Sequence, residues 1–157
     1  MANKSYDPNV ERDLLTHVGS AISRWSGMED MLVRICVRLL DAEKEKTGVV
    51  MYSVFNFNTR LDIISELFDL SPNFKSLTDG WGGIAKRLRA LNLTRNRLAH
   101  HTILERPGDE FAREPALRPA MFDVRTKSKK YKPLTLDEIE GHDRPNRRMR
   151  DISAFSS

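Results

Sequence analysis

The chain has 157 residues, 39% hydrophobic and 31% charged, with a formal net charge of +4 and a pI near 9.4. That length supports one domain with its own core and excludes a fold dependent on disulfides or a structural metal, and the single cysteine, Cys36, excludes an intramolecular disulfide. No window approaches about 18 uncharged apolar residues and MANKSYDPNVERD has no apolar signal core, so neither a membrane span nor secretion is indicated and the protein is expected in the cytoplasm.

Asp7 as N-cap and Pro8 at the first helical position open a helix, because proline has no N–H to leave unsatisfied there. Val10, Leu14, Val18, Ile22, Trp25 and Met28, continued by Leu32, Ile35 and Leu39, recur at steps of three and four. The spacing predicts one long helix from about 8 to 43, ending in the charged stretch Asp41 to Lys46. Such a helix cannot bury its stripe against itself, so part of it is expected to pack on a second copy, giving a homodimer.

After Gly48, VVMYSVFNF is β-prone taken alone. A short helix is expected there, then a break near Asn56 to Asn58 and a second helix, capped by Asn58 or Thr59, through Leu61, Ile64, Leu67 and Phe68 to about Asp69. Ser71, Pro72 and Asn73 mark a loop, and Thr78 with Asp79 begins the next helix. Gly80, Gly82 and Gly83 crowd its first turn, through either a late start or a close approach to another helix.

Beyond His101, residues 102–104 and 121–124 are expected as short strands of a hairpin flanking the loop RPGDEFAREPALRP. RTKSKKYK, 125–132, reads as a solvated basic loop, and Thr135 with Glu138 forms a capping box for a last helix through Ile139. The overall expectation is an all-α or mainly α single domain, 1–157: an antiparallel helical bundle over 8–103 and a loop-rich basic C-terminal extension over 104–157.

The stretch LTRNRLAHH, 93–101, departs from pattern. Trp81, Ile84, Leu88 and Leu91 form an apolar row, and Arg95 takes its next slot. A buried guanidinium is costly unless paired, so Arg95 either meets Glu29, Asp62 or Glu66 inside the fold or faces an anionic ligand. From Gly80 to Leu104 there is no Asp or Glu, while Lys86, Arg87, Arg89, Arg95 and Arg97 accumulate. Such a stretch suits a polyanion.

Arginine offers a rigid fork of donors for a phosphate, and histidine exchanges protons near neutrality. Together Arg95 and His100 suffice in principle to cleave RNA without metal: His100 takes the proton of a 2′-hydroxyl and Arg95 stabilises charge on the phosphorane. Five helical steps place the two about 140° and about 7.5 Å apart, so they do not share a face, but arginine is long and the two can meet at a cleft edge, especially if a second chain brings its own pair. Asn96 supplies a donor and an acceptor able to hold the phosphate or orient His100. Glu29 either buttresses Arg95 or is a surface acid. Lys86, Arg87, Arg89, Arg97 and His101 are the candidate RNA contacts.

Arg95-Asn96-Arg97-Leu98-Ala99-His100 resembles the R-(X4–6)-H motif of the HEPN superfamily, in its common form with a polar residue directly after the arginine. The resemblance covers roughly residues 8–103 and implies a small α-helical domain that dimerises so that two motifs line one cleft. It further implies a metal-independent endoribonuclease, a toxin or phage-defence effector, with Arg95 and His100 catalytic and Asn96 accessory. It implies no cofactor or metal, RNA as substrate, and a cognate antitoxin or regulatory protein as partner. Where some HEPN toxins carry a tyrosine modified by nucleotidyl transfer, two residues after the histidine, this chain has Thr102. The alternative is a catalytically inactive HEPN-like dimer that binds RNA or a protein.

Overall fold

The computed structural model describes residues 8–105 and 115–119 together with Leu134, Leu136 and Ile139. In chain order these form α1 (Pro8–Leu40), α2 (Lys44–Ser53), α3 (Phe57–Leu70), a 3-10 turn (Pro72–Leu77), α4 (Thr78–His100), β1 (His101–Glu105) and β2 (Pro115–Pro119). The fold is mainly α, with one long N-terminal helix as the stripe predicts. Asp7, strand 121–124, the basic run 125–132, the Thr135/Glu138 box and the tail lie outside the described residues.

Local chemistry sets the helix ends. Asp41 adopts φ 47°, and Ala42 N–H donates to the Val37 carbonyl at 3.2 Å, the six-to-one bond of a Schellman close. A left-handed aspartate carries a steric cost that glycine avoids. Asp41→Gly is therefore expected to raise stability by about 0.5–1 kcal/mol, read as a higher urea midpoint with unchanged slope.

The charged run expected only to end α1 also begins α2, where Lys46 pairs with Glu43 at 2.9 Å. Periodicity misses this start because α2 buries only Thr47 and Met51, too few positions to write a stripe. The cap of α3 is Asn56: its Oδ1 accepts from the backbone N–H of Asn58 at 2.9 Å and of Thr59 at 3.3 Å. Asn58 and Thr59 are thus the capped donors, not the cap. The loop expected at Ser71 to Asn73 is largely the 3-10 turn. α4 starts at Thr78 as expected, and its glycines mark neither a late start nor a close approach: a Cβ at Gly80, Gly82 or Gly83 would meet nothing within 4 Å.

The described residues form two compact units, one of 25–93 and one of 8–24, 94–105, 115–119 and the three C-terminal positions. In the first, Trp25 packs on Phe57 with ring centroids 4.7 Å apart, and Phe68 stacks on Trp81 at 5.4 Å. Trp81 Nε1–H donates to Ser65 Oγ at 2.9 Å, which satisfies the indole inside the core. Both tryptophans are buried structural residues.

Cys36 is fully buried in the same core, its Sγ 3.4 Å from Met51 Sδ, and burial pushes its thiol pKa up to about 11. The folded value lies above the ordinary 9.0, so the stability of the neutral thiol is fully present below pH 9 and is lost as pH rises toward 11. The expected result is a urea midpoint that falls over that window in wild type and falls less in Cys36→Ala.

In the second unit, Leu14 and Leu98 bury against Leu117, Leu134 and Ile139, with Val18, Ala21, Ile22 and Leu136 packed around them. Strands β1 and β2 pair antiparallel, His101 opposite Pro119 through Glu105 opposite Pro115. The partner strand therefore lies inside the stretch expected as loop. Its Leu117 exchanges two backbone hydrogen bonds with Leu134, at 3.0 and 2.9 Å. Leu117, Leu134 and Ile139, all beyond residue 104, are thus part of a core.

The stripe of α1, expected to need a second copy, finds most of its cover within the chain. Leu14, Trp25, Leu32 and Ile35 are buried, while Val10, Val18, Ile22, Met28 and Leu39 are half-buried.

Candidate functional site

The motif occupies the last turns of α4, which stays α-helical through His100; β1 begins at His101. One helix–strand junction therefore separates the two histidines. Leu98 anchors this end as a core residue, while Arg95, Asn96 and Arg97 are half-buried and His100 is exposed. The helix places its terminal carbonyls beside His100.

Arg95 Nη1 donates to Asn96 Oδ1 at 3.2 Å. Asn96 thus acts on the arginine, the one contact neither of its two expected roles included. With its amide oxygen engaged it restrains the guanidinium. Because the helix does not unwind, Arg95 and His100 keep the divergence of an ideal helix, about 140° over five residues. The two side chains therefore leave the helix on different faces.

Among the candidate RNA contacts, Lys86 is exposed and Arg87 and Arg97 are half-buried. Arg89 is committed to an ion pair with Asp62 on α3. His101 is half-buried at the first position of β1, which sets it apart from its exposed neighbour His100.

Glu29 Oε1 accepts from Arg60 Nη1 at 3.0 Å, so of its two expected roles, buttress of Arg95 or surface acid, it takes neither. Arg60 is buried, donates Nε–H to the Val54 carbonyl at 2.6 Å and lies with Cζ 5.4 Å from the Tyr52 ring centroid. The rule that singles out Arg95, an arginine within an apolar row, applies equally to Arg60, three after Phe57 and four before Ile64. Applied evenly, it would have marked Arg60 as well, though not its partner Glu29.

Among the described residues no three His, Cys, Asp or Glu side chains cluster as a metal site requires, and no helix is long and apolar enough to cross a membrane. No family model matches the chain, and neither the curated proteins nor the solved structures hold a match.

Proposed function

We propose that the chain is a metal-independent endoribonuclease of HEPN type, a toxin or phage-defence effector, whose site is composed from the motifs of two copies. The observation that carries this reading is Arg95, held by Asn96 on a helix that ends on exposed His100 in a stretch without acids. Arg95 of one copy receives the scissile phosphate through its donor fork. His100 takes the proton from the 2′-hydroxyl as that oxygen attacks phosphorus. The O2′–P bond forms, the P–O5′ bond breaks, and the 5′-oxygen takes a proton from the partner's His100. The products are a 2′,3′-cyclic phosphate and a 5′-hydroxyl.

Two copies favour the step because they supply two histidines, one as base and one as acid, while the five-residue divergence separates the two groups of a single motif. Incubation with total RNA in EDTA tests the reading: cyclic-phosphate fragments support it. The same divergence favours a second reading, a catalytically silent module that binds RNA. Intact RNA with binding that weakens steeply with salt would establish that module instead.

A further inference from the structure

Burial along α4 follows the row Trp81, Ala85, Leu88 and Asn92, so an amide takes the fourth place in a run of core positions. Asn92 is only 9% exposed. Two other polar residues are buried as deeply among the described residues, and both are bonded. Thr47 Oγ1 donates to the Glu43 carbonyl at 2.8 Å, and Arg60 donates to the Val54 carbonyl and to Glu29. The Asn92 amide makes no side-chain hydrogen bond among the described residues. Burying such a group unbonded costs free energy that a leucine in its place would not, so the amide calls for a partner.

The place of Asn92 on the helix says what that partner is. At about 100° per residue, Arg95 lies about 60° to one side of Asn92 and Asn96 about 40° to the other, each one turn further on. Asn92, Asn96 and His100 follow one another at steps of four along a single ridge, with Arg95 beside it. Helical side chains lean toward the N-terminus, so Arg95 and Asn96 reach back over Asn92. The Asn96 oxygen is engaged by Arg95 Nη1, so an anion seated on the arginine fork meets Asn92 as the next donor down the ridge. From Gly80 to Leu104 the chain has no acid to compete for that anion's place.

We propose that Asn92 is a substrate-binding residue, whose amide N–H donates to a non-bridging oxygen of the RNA phosphate held by Arg95. The phosphate supplies the acceptor that the fold withholds. The inference rests on RNA as the ligand of the motif, and it holds for a cleaving protein and for a silent RNA-binding module alike.

The test measures binding apart from cleavage. In the full-length His100→Ala chain, in EDTA, the anisotropy of a labelled mixed-sequence single-stranded RNA is read over a salt series, and urea midpoints are taken for the same proteins. Adding Asn92→Leu is expected to raise Kd at least about tenfold, the scale of one hydrogen bond to a charged group. The slope of log Kd against log salt is expected to stay the same, because asparagine displaces no counterion. The urea midpoint is expected to hold or rise, since leucine brings no unbonded amide into the buried row. Asn92→Asp keeps the size but sets a carboxylate beside the phosphate, and is expected to weaken binding further; it decides the matter alone if Asn92→Leu does not fold. RNA bound by the folded variants as tightly as by the parent would overturn the proposal and leave the RNA reading standing. A shallower salt slope for Asn92→Leu, the sign of a displaced Arg95, or a lower urea midpoint, the sign of a structural amide, would each overturn it too. A parent chain that binds no RNA would remove the RNA reading itself, and this proposal with it.

Discussion

His100→Ala is expected to lower RNA cleavage by about 10²–10⁴-fold, the range that a positioned general acid–base supplies. In the proposed site the same residue serves twice, once as base from one copy and once as acid from the other, so the loss belongs at the upper end. Single-turnover cleavage of a labelled RNA in EDTA measures it. His100 is exposed and ends its helix, so the substitution empties no core and the melting temperature should change little. Arg95→Lys separates charge from geometry: it keeps the cation but loses the fork, and is expected to recover only part of what Arg95→Ala loses. Cleavage by folded His100→Ala at the wild-type rate would remove the residue from the mechanism.

Glu29→Ala is expected to cost roughly 3 kcal/mol of stability, because breaking a buried pair strands the remaining charge. The Arg60 side chain is 11% exposed and that of Glu29 20%, so water reaches neither end freely. With the carboxylate gone, the guanidinium keeps the Val54 carbonyl and the Tyr52 ring, too little for a full cation. The double variant Glu29→Met with Arg60→Met is expected to be more stable than Glu29→Ala alone, since it removes the stranded charge and fills its space with apolar atoms. Urea midpoints of the variants form the check, and a double variant less stable than the single would show that Arg60 is held by other contacts.

Long helices were legible in the sequence because their apolar spacing repeats often enough to outweigh local composition. α1, α3 and α4 carry such repeats, and Asp41 alone, left-handed after Leu40, explains why the first ends before 43. α2 was legible only in part because two buried positions write no period. β2 was missed because its prolines at both ends look like loop punctuation, while its pairing depends on β1, ten residues away, and on Leu134. At the site, the sequence could mark Arg95 as out of place. It could not assign the acids, because Glu29 and Asp62 reach arginines on α3 and α4 through tertiary contacts that no spacing encodes.

The unit built around Leu98 draws its core from both outer parts of the described chain, while the other occupies 25–93 without interruption. This order imposes a schedule on synthesis. Once Leu93 has emerged, the inner stretch has every described residue of its core, but Leu98 waits for Leu117, Leu134 and Ile139. At roughly 5–20 residues per second, several seconds separate the two events. The end of α4 that bears Arg95 and His100 is thus the last described part to gain its apolar support. The motif's scaffold is completed only after the inner unit has all of its own described core.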